Sequence, residues 1–87
     1  MNLAFTPTGW EDFTYWADKD RTTYKKVRAL LKETLRTPFD GTGKPEPLKY
    51  QASNVWSRRI TLEHRLVYAV EDDQIVVLAA RFHYGTA

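Results

Sequence analysis

Apolar residues recur every three or four positions up to about Arg36, and every second position from Val55 onward. Between these stretches lies Thr37-Pro38-Phe39-Asp40-Gly41-Thr42-Gly43, rich in turn-forming residues. A helical period followed by a strand period restricts the fold class to α+β. The expected architecture is a small antiparallel β-sheet with two N-terminal helices packed on one face. At 87 residues the chain is expected to make a single domain, 1–87, with little room for a second.

Leu3-Ala4-Phe5 reads as a first strand, broken by Thr6-Pro7-Thr8. Thr8 and Glu11 form a capping-box pattern opening a first helix, in which Trp10, Phe13, Trp16 and Ala17 are spaced to pack inward. Asp20 caps a second helix running to about Arg36, with Tyr24, Val27, Leu30, Leu31, Thr34 and Leu35 as its buried stripe. Strands follow from Val55 to Thr61, from His64 to Val70 and from Gln74 to Phe82, with Glu71-Asp72-Asp73 as an acidic turn. Both alternating sets of the last strand are apolar, which fits an interior strand covered on both sides.

The absence of cysteine excludes disulfides and thiolate chemistry. His64 and His83 stand far apart with no ligand cluster around them, so neither a metal site nor a cofactor is expected. No apolar run approaches the ~18 residues of a membrane span, and Met1-Asn2-Leu3-Ala4-Phe5 lacks the regions of a signal peptide. A cytoplasmic protein without membrane contact is the expectation.

The net charge of +2 says little about partners, but its distribution says more. Arg21, Lys25, Arg28, Lys32 and Arg36 line up along the outer face of the second helix, where Glu33 is the lone acid. Such a stripe is either a solvated face or a contact for phosphates. In the strands, Trp56 and Ile60 share one face, as do Leu66, Tyr68 and Val70. Packing both sets on the helices requires opposed positions to sum to an even number. The same parity puts Ser57, Arg59, Arg65 and Val67 on the other face. Two arginines then lie side by side and repel unless an anion sits between them.

Glu46 lies between Pro45 and Pro47, which hold its backbone extended, and Lys44, Lys49, Arg58, Arg59 and Arg65 surround it in sequence. RNA carries its own nucleophile, the 2′-hydroxyl beside the scissile phosphate. Cutting it needs a base, an acid for the departing 5′-oxygen, and cations around the phosphate. Glu46 suits the base, and Arg65 the clamp, since a guanidinium grips two phosphate oxygens at once. His83 suits the acid, and Tyr84 can stack on a base or orient the leaving oxygen. Lys44, Lys49 and Arg59 are further phosphate-binding candidates, as is Arg81 if the end of the last strand leaves it on the arginine face. The scheme requires no metal. Each assignment has a structural alternative: Glu46 as a loop acid paired with a lysine, the arginines as solvated strand charges, His83 as a terminal histidine, Tyr84 as a packing aromatic.

The run Arg36-Thr37-Pro38-Phe39-Asp40-Gly41-Thr42-Gly43-Lys44-Pro45-Glu46-Pro47-Leu48-Lys49 resembles the signature loop of the YoeB (Txe) toxins, a branch of the RelE superfamily. Trp56-Ser57-Arg58-Arg59-Ile60-Thr61, Glu63-His64-Arg65-Leu66-Val67-Tyr68 and Arg81-Phe82-His83-Tyr84 match the same family, so the likeness runs from about Leu3 to Tyr84. The resemblance implies a toxin that enters the ribosomal A site and cuts messenger RNA there. It places the family's catalytic residues on Glu46, Arg65, His83 and Tyr84, with Lys49 and Arg59 as active-site bases. It also implies a YefM-type antitoxin as partner, operator DNA bound only through that antitoxin, and a possible homodimer. The tail Gly85-Thr86-Ala87 extends past the family's terminal tyrosine and is expected to fray. Two other readings remain at this point: a ParE-like toxin acting on gyrase without cutting RNA, and a basic RNA-binding domain without chemistry.

Overall fold

The computed structural model describes residues 1–48 and 52–82. Its elements are β1 (Asn2–Phe5), α1 (Pro7–Lys19), α2 (Arg21–Arg36), β2 (Glu46–Pro47), β3 (Val55–Arg59), β4 (Arg65–Val70) and β5 (Gln74–Ala79). The strands form one sheet in the order β1-β5-β4-β3-β2, with both helices on one face.

Thr6, rather than Thr8, caps α1. Pro7 occupies the first helical position, where its fixed φ suits a helix and its missing N–H is no loss, so the helix opens two residues earlier than the capping-box pattern suggested. Thr6 Oγ1 accepts from Gly9 N at 3.1 Å and lies 3.2 Å from the Leu78 carbonyl oxygen, tying the start of α1 to β5. Gly9 makes that approach possible, because a Cβ there would stand 2.2 Å from the Val77 carbonyl oxygen. Asp20 serves both helices. Its N–H closes α1 on the Trp16 carbonyl, and its carboxylate accepts from Thr23 N at 3.1 Å and Thr23 Oγ1 at 2.8 Å to open α2.

Trp16 from α1 and Val27, Leu30 and Leu31 from α2 meet Ile60, Leu66, Tyr68, Ile75, Val77 and Ala80 in the main core. Trp10, expected among them, is 54% exposed. It packs against the rings of Phe5 and Phe13, and β1 is the edge of the sheet, so no further strand covers it.

The β2–β3, β3–β4 and β4–β5 pairs are antiparallel as expected, but β1 runs parallel to β5, making the sheet mixed. No hairpin joins those two strands, so no tight turn sets their relative direction. Between β3 and β4 the register pairs Trp56 with Tyr68, Arg58 with Leu66 and Arg59 with Arg65, the even sum that packing on the helices demands. Between β4 and β5, Val67 pairs with Ala79 and Tyr68 with Val77, leaving Leu78 as an inserted residue. The bulge puts Ala79 with Val55, Val67, Ala69, Val76 and Leu78 in a small apolar cluster on the face away from the helices. β5 is an interior strand, but only its helix-side residues are fully buried, and Val76, Leu78 and Ala79 remain half-buried rather than covered. The ladder stops at Ala79 instead of running to Phe82.

Candidate active site

Glu46 sits on a two-residue strand at the edge of the sheet, opposite Ser57. The chain is fastened to β3 on both sides of it: Arg59 N donates to the Gly43 carbonyl at 2.7 Å, and Leu48 N donates to the Val55 carbonyl at 3.0 Å. Glu46 Oε1 lies 3.2 Å from Arg65 Nη1, and Arg65 stands directly opposite Arg59. The expected arginine pair is therefore present, and the anion beside it is the Glu46 carboxylate. Glu46 is the exposed member, with a side chain 60% accessible against 14% for Arg65. Water screens the glutamate side of the pair, which limits what the contact contributes to stability. Beneath them Ser57 is buried, and its hydroxyl finds no hydrogen-bond partner among the described residues.

Arg58, counted in sequence among the cations around Glu46, does something else. It is fully buried on the helix side of β3. Its Nε donates to Tyr68 Oη at 3.1 Å, and Nη1 donates to Glu33 Oε2 at 2.8 Å and to the Thr42 carbonyl at 3.2 Å. Nη2 donates to the carbonyls of Thr37 and Asp40. One guanidinium thus closes the end of α2 and gathers the loop leading to Glu46. Glu33, the lone acid on α2, completes the knot by accepting from both the backbone N–H and the hydroxyl of Thr42. Those Thr42 bonds, and then Arg58, hold the Glu33 carboxyl below its ordinary pKa. Burial raises the Tyr68 phenol, with Arg58 opposing, while its hydroxyl donates to the Pro38 carbonyl at 2.7 Å. Gly41 turns through this knot at φ +114, and a Cβ there would meet Glu33 Oε2 at 2.2 Å. The signal for Arg58 was present in the sequence: the parity that sends Trp56 and Ile60 inward sends Arg58 with them, and a buried guanidinium must be fully partnered.

The other sequence-derived candidates divide. Lys44 is exposed two residues before Glu46, with φ +50. Arg81, a phosphate-binding candidate, packs on the helix side: its guanidinium carbon lies 3.5 Å from the centre of the Tyr15 ring on α1, in a cleft shared with Glu11, Asp12 and Asp18. Beyond Ala79 the regular ladder ends and Ala80 is held by Asp12 and Trp16 of α1, which carries Arg81 toward the helix. Lys49, His83 and Tyr84 lie outside the described residues. Arg21, Lys25, Arg28, Lys32 and Arg36 are all exposed on α2, on the opposite side of the sheet from Arg59 and Arg65. Arg21 and Arg28 flank the Tyr24 ring at 5.9 and 5.8 Å.

Residues 5–84 match the family model of a YoeB-like toxin of bacterial type II toxin-antitoxin systems. The toxin YoeB of Escherichia coli K12 is 54% identical over 84 residues, which covers 97% of this chain and all of the relative. A YoeB/ParE toxin from Agrobacterium tumefaciens superposes with a TM-score of 0.92 at 44% identity, covering 97% of this chain and 100% of the other. The Staphylococcus aureus toxin is similar both as a YoeB dimer (TM-score 0.89, 41% identity) and in a YoeB–YefM complex (TM-score 0.86, 40% identity). In each case 97% of this chain and 98% of the other are covered. With a full-length match at this identity, and with the arginine register and glutamate loop in place, the chain belongs to the YoeB-like toxins of bacterial type II toxin-antitoxin systems.

Proposed function

We propose that this toxin is a metal-independent endoribonuclease that cuts messenger RNA in the ribosomal A site and so arrests translation. The observation that carries the reading is the Glu46 carboxylate 3.2 Å from Arg65, with Arg59 directly across the strand pair. A scissile phosphate entering between the arginines competes with Glu46 for Arg65. The carboxylate then becomes available to take the 2′-hydroxyl proton. The 2′-oxygen attacks phosphorus, the bond to the 5′-oxygen breaks, and His83 supplies the proton that the departing oxygen needs. The products are a 2′,3′-cyclic phosphate and a 5′-hydroxyl. Arg65 and Arg59 neutralise the charge that grows on the phosphate, Lys44 and Lys49 extend the cationic rim, and Tyr84 orients the base or the leaving oxygen.

The stripe on α2 faces away from the arginine pair, so it cannot grip the same phosphate; it serves to hold ribosomal RNA. A YefM-type antitoxin is the expected inhibitor, as in the complex of the Staphylococcus aureus relative, and a homodimer is expected by the same comparison. Operator DNA is reached only through the antitoxin. Action on ribosomes implies a cytoplasmic location.

The test is cleavage of a messenger on programmed ribosomes, mapped by primer extension, with Glu46→Ala, Arg65→Ala and His83→Ala alongside wild type. Wild type should cut at the A-site codon, with losses of roughly 10²–10⁴ for Glu46→Ala and about 10²–10³ for Arg65→Ala. A messenger that is bound but stays uncut would reduce the arginine face to an RNA-binding surface.

A further inference from the structure

Beyond Ala79 the sheet ladder no longer directs the chain, and side chains take over. Asp12 Oδ2 accepts from Ala80 N at 3.0 Å, and Trp16 Nε1 donates to the Ala80 carbonyl at 2.7 Å. Phe82 then adopts φ +62, a left-handed conformation that a bulky L-residue holds only when its surroundings over-determine it. What holds it is a two-way clamp. Phe82 N donates to His64 Nδ1 at 2.7 Å, and Arg65 N donates to the Phe82 carbonyl at 3.1 Å. The His64 ring lies edge-on to Trp16 at 4.8 Å and against Phe82 at 5.7 Å. Its backbone is equally constrained, since its carbonyl accepts from Ile60 N and Thr61 N while its N–H donates to Thr61 Oγ1.

To accept from Phe82, Nδ1 must carry no proton, so His64 is neutral with its proton on Nε2. His64 immediately precedes Arg65, and Phe82 immediately precedes His83. The clamp therefore joins the residue before the phosphate-binding arginine to the residue before the general acid. We propose that neutral His64 is a positioning residue, which clamps Phe82 against the start of β4 and so fixes the backbone that carries the phosphate-binding Arg65. The inference rests on the endoribonuclease reading for its catalytic consequence, but the anchor itself can be tested without it.

His64→Leu removes the acceptor and keeps an apolar side chain between Trp16 and Phe82, whereas His64→Asn returns an acceptor oxygen at roughly the reach of Nδ1. On programmed ribosomes His64→Leu should lower kcat about tenfold or more with KM changed less than about twofold, and His64→Asn should recover most of the loss. Amide exchange at Phe82 should quicken in His64→Leu and not in His64→Asn. In the wild-type protein the ¹⁵N shifts of His64 should show an unprotonated Nδ1. A protonated Nδ1, or exchange at Phe82 that ignores both substitutions, overturns the anchor. Faster exchange at Phe82 with wild-type cleavage overturns its role in positioning, and a loss that His64→Asn fails to recover overturns the acceptor. Wild-type protein that leaves messengers intact overturns the nuclease reading instead, and exchange at Phe82 then decides the anchor alone.

Discussion

Arg58→Ala deletes a fully buried guanidinium and abandons the groups it served. Glu33 retains both bonds from Thr42, and Tyr68 Oη still donates to the Pro38 carbonyl. The carbonyls of Thr37, Asp40 and Thr42 lose the donors that gathered them, and a cavity opens beneath the loop. Truncating one partner of a buried charged network costs about 3–5 kcal/mol. A domain of this length has a total stability of about 4–13 kcal/mol at the usual stability per residue, so the variant should be at or near the limit of folding. Arg58→Lys keeps a charge for Glu33 but cannot reach three carbonyls and a phenol with a single ammonium, and a loss of about 2 kcal/mol is expected. Urea unfolding followed by tryptophan fluorescence at neutral pH measures both. The lysine variant adds a second readout. Under conditions where it is folded, messenger cleavage should fall about tenfold or more, because the loop carrying Glu46 is no longer drawn onto one point. An Arg58→Ala protein within ~1 kcal/mol of wild type would refute the account of the knot. Arg58→Lys cutting at the wild-type rate would refute its link to Glu46.

Arg59→Ser relieves the repulsion across the strand pair, so stability should rise by about 0.2–1 kcal/mol while cleavage weakens; a fall in both would mean that Arg59 is a structural residue. Glu33 is held below its ordinary value of 4.5, so the unfolded chain takes up its proton first as the solution is acidified. Its contribution is therefore complete above about pH 4.5 and lost as pH falls through the lower folded value, and Glu33→Gln should flatten the acid limb of an unfolding series. Replacing Lys25 and Lys32 with Gln should weaken ribosome binding and make it less salt-dependent, by up to about one unit of slope for each phosphate no longer neutralised, with folding unchanged. Undiminished binding would return the stripe to a solvated face.

Much of this protein was readable in one dimension because the decisive information was periodic. Hydrophobic spacing separates the helices from the strands, Asp20 announces the second helix, and parity alone puts Arg59 and Arg65 on one face. A register has only two choices of face, and a sheet that buries one face permits a single choice. The same argument carries Arg58 into the core, where no charge-based reading of the sequence would put it. Glu46 stands out through its flanking prolines, a local constraint that needs no tertiary information.

Tertiary structure decided whatever depended on contacts between distant segments. Thr6 displaced Thr8 as the helix cap because its hydroxyl also reaches β5, and Trp10 stayed at the surface because β1 is an edge. The direction of β1 follows from no turn in the sequence. The bulge at Leu78 undid the alternation that would have predicted the end of β5, and from there Arg81 went to Tyr15 and Phe82 to His64. Periodicity reports which face a residue takes while a regular element lasts. Once the element ends, the path of the chain is set by whichever donors and acceptors lie within reach, and only the folded molecule brings those together.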